Sequence, residues 1–407
     1  MWNLYGKHYD LNDFIDKHPG GKQVLELTKN LEDITALFET YHAFSKMEHI
    51  QKKLNLYEIP VLEKDPPYPL EFSNYRNLVK KVKNIYPDRK TIKSDRSFFL
   101  QMVGTFFLMC ASFYVTYLST VSFYIKCISQ ICYSTSIISI GFNMMHDGSH
   151  YGIFKKSSYN EWSSKVVNNI LFWNSKIWFF HHVFLHHSNT GLEKDPDIHI
   201  YIKQKYFQSF YSLVIFYTII PGQKILQAIY YSLVPFKKNF LSTDNIFYQT
   251  FPDISYYDII DISMIGFQLY YVYKAGFRLF LLHAFVLNTL YFLNIYPNHS
   301  LYESKIENKY NGNDWAKMQI MHSGNFLNNN WLWTRIFGGI NFQIEHHLFP
   351  NMSNVHYIKV APIVKEYCQE NNIPYVHHDS LYSTFLSFKK TYDFPDLSSE
   401  RVPLKDS

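Results

Sequence analysis

His181-His182-Val183-Phe184-Leu185-His186-His187 is the stretch whose reading decides what this chain folds into. Positions four apart on a helix are separated by ~40°, so His182 and His186 share one face. Two further strings carry related spacings. His146-Asp147-Gly148-Ser149-His150 repeats the four-residue step, and Gln343-Ile344-Glu345-His346-His347 puts Gln343, His346 and His347 on one face at i, i+3 and i+4. A single histidine on an apolar face is most often a packing residue. Three clusters beside apolar segments are different, because unmatched imidazoles there carry a desolvation cost with no return. Imidazoles drawn from several helices suit iron, copper, nickel or zinc.

The flanks of these strings are apolar. Residues 97–125 hold no charged side chain and neither do 127–145, with only Lys126 between them. A helix crosses a bilayer in ~20 apolar residues, so this block is long enough for a hairpin of two spans. A weaker second pair combines 279–297, where His283 sits mid-span, with the short stretch 262–273, giving about four spans in all. The Tyr-rich runs 206–223 and 225–236, broken by Pro221 and Lys224, read as helices at the membrane interface. Arg76, Lys80, Lys81, Lys83, Arg89, Lys90, Lys93 and Arg96 precede the first span, and Lys155 and Lys156 follow the second. Both ends of the hairpin are therefore expected on the cytosolic side. The net charge of +5 is accounted for by this juxtamembrane excess, so no nucleic-acid partner is implied. Cys110, Cys127, Cys132 and Cys368 form no CxxC pair, which argues against a disulfide framework or a thiolate site. The charged N-terminus reads as lacking a cleavable signal peptide.

Residues 1–60 are mixed in character and end at a Pro-rich linker, Pro60 to Pro69, followed by a basic segment at 71–95 that reads as a helix approaching the membrane. Within the first part, His18-Pro19-Gly20-Gly21 precedes an amphipathic helix, Lys22 to Lys29, and Asp33 to His42 forms a second patterned helix. Two histidines on separate helix ends can meet a flat macrocycle from opposite faces, and the glycines let the backbone pass close to its edge. An iron held by two imidazoles has no open position and suits electron transfer.

The run from Tyr9-Asp10-Leu11 through Phe14 and His18-Pro19-Gly20-Gly21 to Asp33-x-Thr35-x-x-Phe38-x-x-x-His42 resembles the cytochrome b5 family, which implies haem b on the axial ligands His18 and His42. That resemblance also implies acidic residues for docking redox partners, here Glu32, Asp33 and Glu39. Met1 to Lys7 leaves room for only part of one strand, so the first strand and helix of that fold are expected to be missing, with haem affinity reduced. The three histidine strings resemble the membrane fatty-acid desaturases, with H-x3-H, H-x3-H-H and Q-x2-H-H. Gln343 and the fused haem domain are similar to the front-end desaturases, as are His187-Ser188-Asn189-Thr190 with Asp195-Pro196-Asp197, and Asn341 to Pro350. The implied fold is a small α+β cytochrome b5-like haem domain (1–60), a linker and juxtamembrane helix (61–95), an all-α integral membrane desaturase domain (96–380) with a histidine-rich di-iron cap, and a polar tail (381–407).

By this resemblance two non-haem irons are held by His146, His150, His182, His186, His187, His346, His347 and one further histidine. That eighth position matches His299 rather than His283 or His322. Gln343 is expected at the metal site or acyl pocket, and His181 just behind the ligands. The implied reaction inserts a cis double bond of the Δ4, Δ5 or Δ6 type into a polyunsaturated acyl chain carried on coenzyme A or a phospholipid. It uses O2 and electrons passed by NADH–cytochrome b5 reductase through the haem. The acyl chain is expected in an apolar tunnel lined by Phe- and Tyr-rich spans. The implied setting is the endoplasmic reticulum membrane, with haem domain and histidines facing the cytosol. Two other readings stay open: a sphingoid-base desaturase or fatty-acid hydroxylase on the same scaffold, and a membrane-anchored electron carrier without di-iron chemistry.

Overall fold

A computed structural model of the chain describes residues 1–29, 31–60, 69–171, 175–192, 195, 209–219, 259–307, 310 and 312–393. Most of the linker, Pro196-Asp197, most of the Tyr-rich runs and the tail beyond 393 lie outside the described residues.

The N-terminal module opens on a hairpin. Trp2–Leu4 pairs antiparallel with Lys7–Tyr9, which in turn pairs with Glu58–Ile59. Tyr5 and Gly6 make the turn at φ 54° and 68°, the left-handed pair a two-residue hairpin needs. The start of the chain thus forms a whole short strand and its turn, more than the sequence promised. The physical reason is Trp2, fully buried, whose Nε1 donates to Leu25 O (3.0 Å) and Thr28 Oγ1 (3.1 Å). Short helices Lys22–Thr28, Thr35–His42 and Met47–Leu54 cover the sheet. Asp33 starts the second by accepting from Thr35 N at 2.6 Å.

The basic segment is helical only over Ser73–Lys83. Pro87 disfavours helical backbone at Tyr86, and residues 84–95 run as a loop. Among the described residues, three helices are long and apolar enough to cross a membrane: Arg96–Leu118, Phe123–Ser149 and Phe277–Ile295. Asp95 caps the first by accepting from Phe98 N at 3.0 Å. Its outward face exposes Leu100, Val103, Phe106 and Phe107, side chains that suit lipid. The fourth expected span, Ile259–Ala275, is helical but shorter, and carries Asp261 and Lys274. It packs on Ser157–Ile170 through Asn169 Nδ2, which donates to Asp261 Oδ1 at 2.7 Å. Part of the first Tyr-rich run is the helix Phe210–Ile219, which packs against Phe277–Ile295.

Because the first two spans form a hairpin, Arg96 and His146 lie at the same end, and the third span delivers His299 there just after Ile295. The helices Trp315–Met321, Gln343–Leu348 and Tyr357–Glu370 cap that end. Gly338, at φ 61°, lies so close to Phe142 O that a Cβ would sit 2.5 Å away, which lets this cap press on the last turns of the second span.

The haem module is docked on the same end. Leu25, Leu37, Phe38 and Leu54 share one apolar core with Tyr151, Phe179, Phe180, Val183 and Phe184. Each large side chain buried at this junction contributes roughly 1.5–3 kcal/mol. Polar contacts fix the register: Ser157 Oγ donates to Pro19 O at 3.1 Å, Asn351 Nδ2 donates to Tyr41 O at 3.0 Å, and Arg76 pairs with Glu39. Gly21, at φ 96°, faces Ser157 and Glu161 so closely that a side chain would collide with them. Its missing side chain therefore serves domain docking, while Gly20 is the residue that lies against the His18 ring.

Candidate functional site

In the N-terminal module, His18 and His42 face each other with ring centroids 6.2 Å apart. Their Nδ1 atoms donate to backbone carbonyls, His18 to Gly21 O (3.1 Å) and His42 to Phe38 O (2.8 Å), so each Nε2 keeps its lone pair. Burial holds both rings neutral, pushing His42 down to about 4. A metal between two imidazoles at ~2 Å from each nitrogen would space the ring centres by about 6 Å, as found here. The cavity between them is lined by Leu11, Phe14, Val24, Phe38, Ile50 and Tyr57. These residues fit haem.

The acidic residues near this pocket are placed otherwise than the sequence implied. Glu39 is buried and bonded to Arg76 and to Tyr5 Oη, which donates at 2.6 Å. Asp33 caps a helix. Of the three, Glu32 is the exposed one.

At the membrane end, the structure gathers all eight expected histidines and Gln343. His146, His150, His182 and His346 form one group, and His186, His299 and His347 a second, each with ring nitrogens within 4.8 Å of one another. His187 lies between them, its ring 4.6 Å from His150, 4.6 Å from His346 and 4.3 Å from His347. Of the eight, all but His299 are deeply buried, and His299, like the neighbouring His181, is partly buried. Two of the strings depart from regular helix. Gly141–His146 and Phe179–His186 are wound as wide π turns, a feature that recurs at functional sites. His182 and His186 share a face as the sequence reading has it, their rings stacked 5.4 Å apart, and from that face they serve the two adjacent groups. His346 and His347 divide in the same way.

Acceptors behind the rings fix their protons. Asp195 Oδ1 accepts from His186 Nδ1 (2.9 Å), Gln319 Oε1 from His347 Nδ1 (2.8 Å), and His322 O from His299 Nδ1 (2.9 Å). Tyr41 Oη lies 2.8 Å from His150 Nδ1, and Tyr357 Oη 3.2 Å from His346 Nδ1. With Nδ1 protonated on His186 and His299, both Nε2 atoms are acceptors, and they lie only 3.1 Å apart. Such an approach is repulsive unless a cation lies between. His150 Nε2 and His346 Nε2 are buried with no hydrogen-bond partner. Burial and the mutual repulsion of charged rings hold His150, His182, His187, His346 and His347 far below the usual imidazole range. Neutral rings with inward lone pairs are metal ligands in waiting.

Gln343 belongs to the second group. Its Oε1 accepts from Asn298 Nδ2 (3.0 Å), and its Nε2 donates to His299 Nε2 (2.8 Å) and His347 Nε2 (3.0 Å). His283 is instead a packing residue, bonded through Nδ1 to Gln130 (3.0 Å) and Ser134 (2.8 Å). His322 and His181 lie outside both groups. Glu345, next to His346, turns away to accept from Asn325 Nδ2 and Tyr375 Oη, both at 2.8 Å, and burial pushes its carboxyl up to about 7. Sequence reasoning missed Tyr41, Gln319 and Tyr357 as supports. Asp195 stood in a quoted string without a role.

A bundle of apolar helices holding a buried polyhistidine centre, with a two-imidazole module docked beside it, defines a membrane metalloprotein carrying its own redox domain. Comparison with known proteins takes this further. Residues 127–379 match the fatty acid desaturase family and residues 2–63 the cytochrome b5-like heme/steroid binding domain. The first match covers more than half of the sequence: the chain belongs to the fatty acid desaturase family, oxidoreductases acting on fatty acyl chains. Relatives include an acyl-lipid (8-3)-desaturase of Mortierella alpina, 25% identical over 94% of this chain and 91% of its own length. The Delta(5) fatty acid desaturase A of Dictyostelium discoideum is 26% identical over 91% of this chain and 85% of its own. The Delta(8)-fatty-acid desaturase 1 of Arabidopsis thaliana is 26% identical over 91% and 84%.

Proposed function

We propose that this protein is a front-end desaturase, placing a cis double bond between an existing one and the carboxyl end of a polyunsaturated acyl chain. Relatives named for (8-3), Δ5 and Δ8 positions support this reading, as do the fused haem module and Gln343. The observation that carries it is the convergence of eight histidines on two adjacent groups whose nitrogen lone pairs face each other. In this reading His146, His150, His182, His186, His187, His299, His346 and His347 hold two non-haem irons, and His18 and His42 hold haem b. Bound iron with O2 would supply the oxidising power to take two hydrogens from adjacent methylenes, which no side chain can supply. NADH–cytochrome b5 reductase would feed the haem.

The chain's own residues prepare the site. Asp195, Gln319 and the His322 carbonyl keep a proton on Nδ1 of His186, His347 and His299, so that Nε2 presents its lone pair to the centre of the cluster. The Gln343 amide, held by Asn298, lies against Nε2 of His299 and His347 in the second group. Burial of the cluster excludes water from the reacting centre. Tyr41, adjacent to His42, touches His150, so one side chain spans the two centres. Fusion keeps the haem module at high effective concentration beside its target. Basic residues flanking the histidine end support a cytosolic orientation in the endoplasmic reticulum membrane.

The test is expression in a host fed a panel of polyunsaturated acids, with products mapped by mass spectrometry and iron counted in the purified protein. A new double bond on the carboxyl side and two irons beyond the haem are expected. A hydroxylated product or an altered sphingoid base would overturn the front-end reading, and absence of non-haem iron would favour the electron carrier.

A further inference from the structure

One wall of the haem pocket lies outside the haem module. The cytochrome b5 match ends at residue 63, yet Arg89, Lys93, Tyr151, Phe179 and Phe184 line the same cavity as His18 and His42. Arg89 and Lys93 sit on the loop between the helix Ser73–Lys83 and the first span. That loop is braced. Asp88 Oδ1 accepts from Lys90 N (2.7 Å) and Thr91 N (3.1 Å), Ile92 O accepts from Ser353 N (2.9 Å), and Lys93 O lies 2.8 Å from His356 Nε2.

Both basic side chains are set into the wall. Lys93 is 5% exposed and its Nζ donates to Tyr151 O (2.6 Å) and Asn351 O (3.1 Å), two neutral acceptors. Arg89 is half-buried and forms no ion pair among the described residues; it lowers the proton affinity of Lys93, His18 and His42 by proximity alone. Burial and the Arg89 guanidinium, opposed by Asp147, push Lys93 down to about 7, so the charged Arg89 against an apolar cavity is the group that calls for an anion. Haem brings an apolar disc for the cavity and two carboxylates on one edge.

Resting on the haem reading above, we propose that Arg89, backed by Lys93, holds a haem carboxylate, so that the pocket is an interdomain site completed by the desaturase domain. The carboxylate edge of the haem would then face the membrane domain.

The test uses the full-length chain in detergent, loaded with haem b or with its dimethyl ester, which lacks both charges. Haem transfer to an apo-globin scavenger gives the dissociation rate. Loss of one charge-assisted hydrogen bond in Arg89→Gln should speed release of haem b about tenfold while the two-imidazole spectrum persists. Arg89→Lys should fall between. The dimethyl ester should leave wild type faster than haem b does, and should leave wild type and Arg89→Gln at the same rate. Unchanged release of haem b from Arg89→Gln, or an equal acceleration with the ester, would sink the carboxylate contact alone. Should Arg89→Gln not fold, equal release of haem b and ester from wild type would sink it as well. A wild-type chain that takes up no haem with a two-imidazole spectrum would sink the haem reading and this contact together.

Discussion

The two imidazole sites of this chain orient their rings in different ways. At His18 and His42 the Nδ1 atoms rest on carbonyls three or four residues away, Gly21 and Phe38. In the polyhistidine cluster the supports are mostly remote: Tyr41 behind His150, Gln319 behind His347, and His322 behind His299. The first site is prepared by its own local turns. The second exists only when distant segments have folded together. A pair of rings set by local backbone suits a closed, coordinatively saturated metal, whereas a larger set held by side chains can leave positions open for O2 and substrate.

The sharpest way to break this contrast is to remove one ring from each site. His347→Ala should abolish desaturation, with non-haem iron falling below two, while the two-imidazole haem spectrum stays intact. His42→Ala should do the reverse to the cofactors, losing the haem spectrum and retaining the non-haem iron. Full activity in His347→Ala would refute its place among the ligands, and loss of both cofactors in either variant would show that the sites are not separable. A smaller effect should follow when a support is altered and the ring kept. Asp195→Asn removes the carboxylate behind His186 and should lower activity or iron affinity about 10–100-fold. Metal titration of the purified variant reads this directly, again with no change at the haem.

The same local-versus-remote difference governs what could be read from the sequence. His18 and His42 are legible because spacing, glycines and helix ends all lie within a few dozen residues. The three histidine strings are legible for the same reason, since i, i+3 and i+4 steps mark a face. Their division into two groups is not legible: His182 and His186 stay stacked 5.4 Å apart, as the four-residue step implies, yet their nitrogens belong to different groups. His299 emerged from resemblance, since a lone histidine after a span has no pattern of its own. Tyr41 was only the neighbour of His42, and its partner His150 is 109 residues away. The basic run at 76–96 looked like a membrane flank. Part of it is interdomain wiring instead: Arg76 meets Glu39, Lys81 meets Glu370, and Lys93 is buried.

Tyr41→Phe sharpens the comparison at the point where the two sites touch. The ring should still pack, so the haem spectrum and its midpoint potential should hold. The lost hydroxyl leaves His150 Nδ1 without its partner, at a cost of about 1–3 kcal/mol for an unsatisfied buried group. Weaker iron binding at the first group, up to roughly tenfold, is the expected reading of a metal titration. A shifted haem spectrum with normal iron affinity would mean that Tyr41 belongs to the haem site rather than to the cluster.

The smallest effect concerns the seam between the sites. Glu39 is 2% exposed and its partner Arg76 56% exposed, so solvent screens one side of the pair. Glu39→Gln keeps the shape and a hydrogen bond to Tyr5, removing only the charge. Screening limits the loss to about 1 kcal/mol. Apolar contacts from Leu37 and Phe38 to Phe180 and Val183 remain, and these carry most of the docking. Limited proteolysis in the linker should therefore rise only slightly in Glu39→Gln, whereas Val183→Asp, which buries a charge in that apolar junction, should release the module. If Glu39→Gln alone frees it, the charge pair and not the apolar seam holds the two sites together.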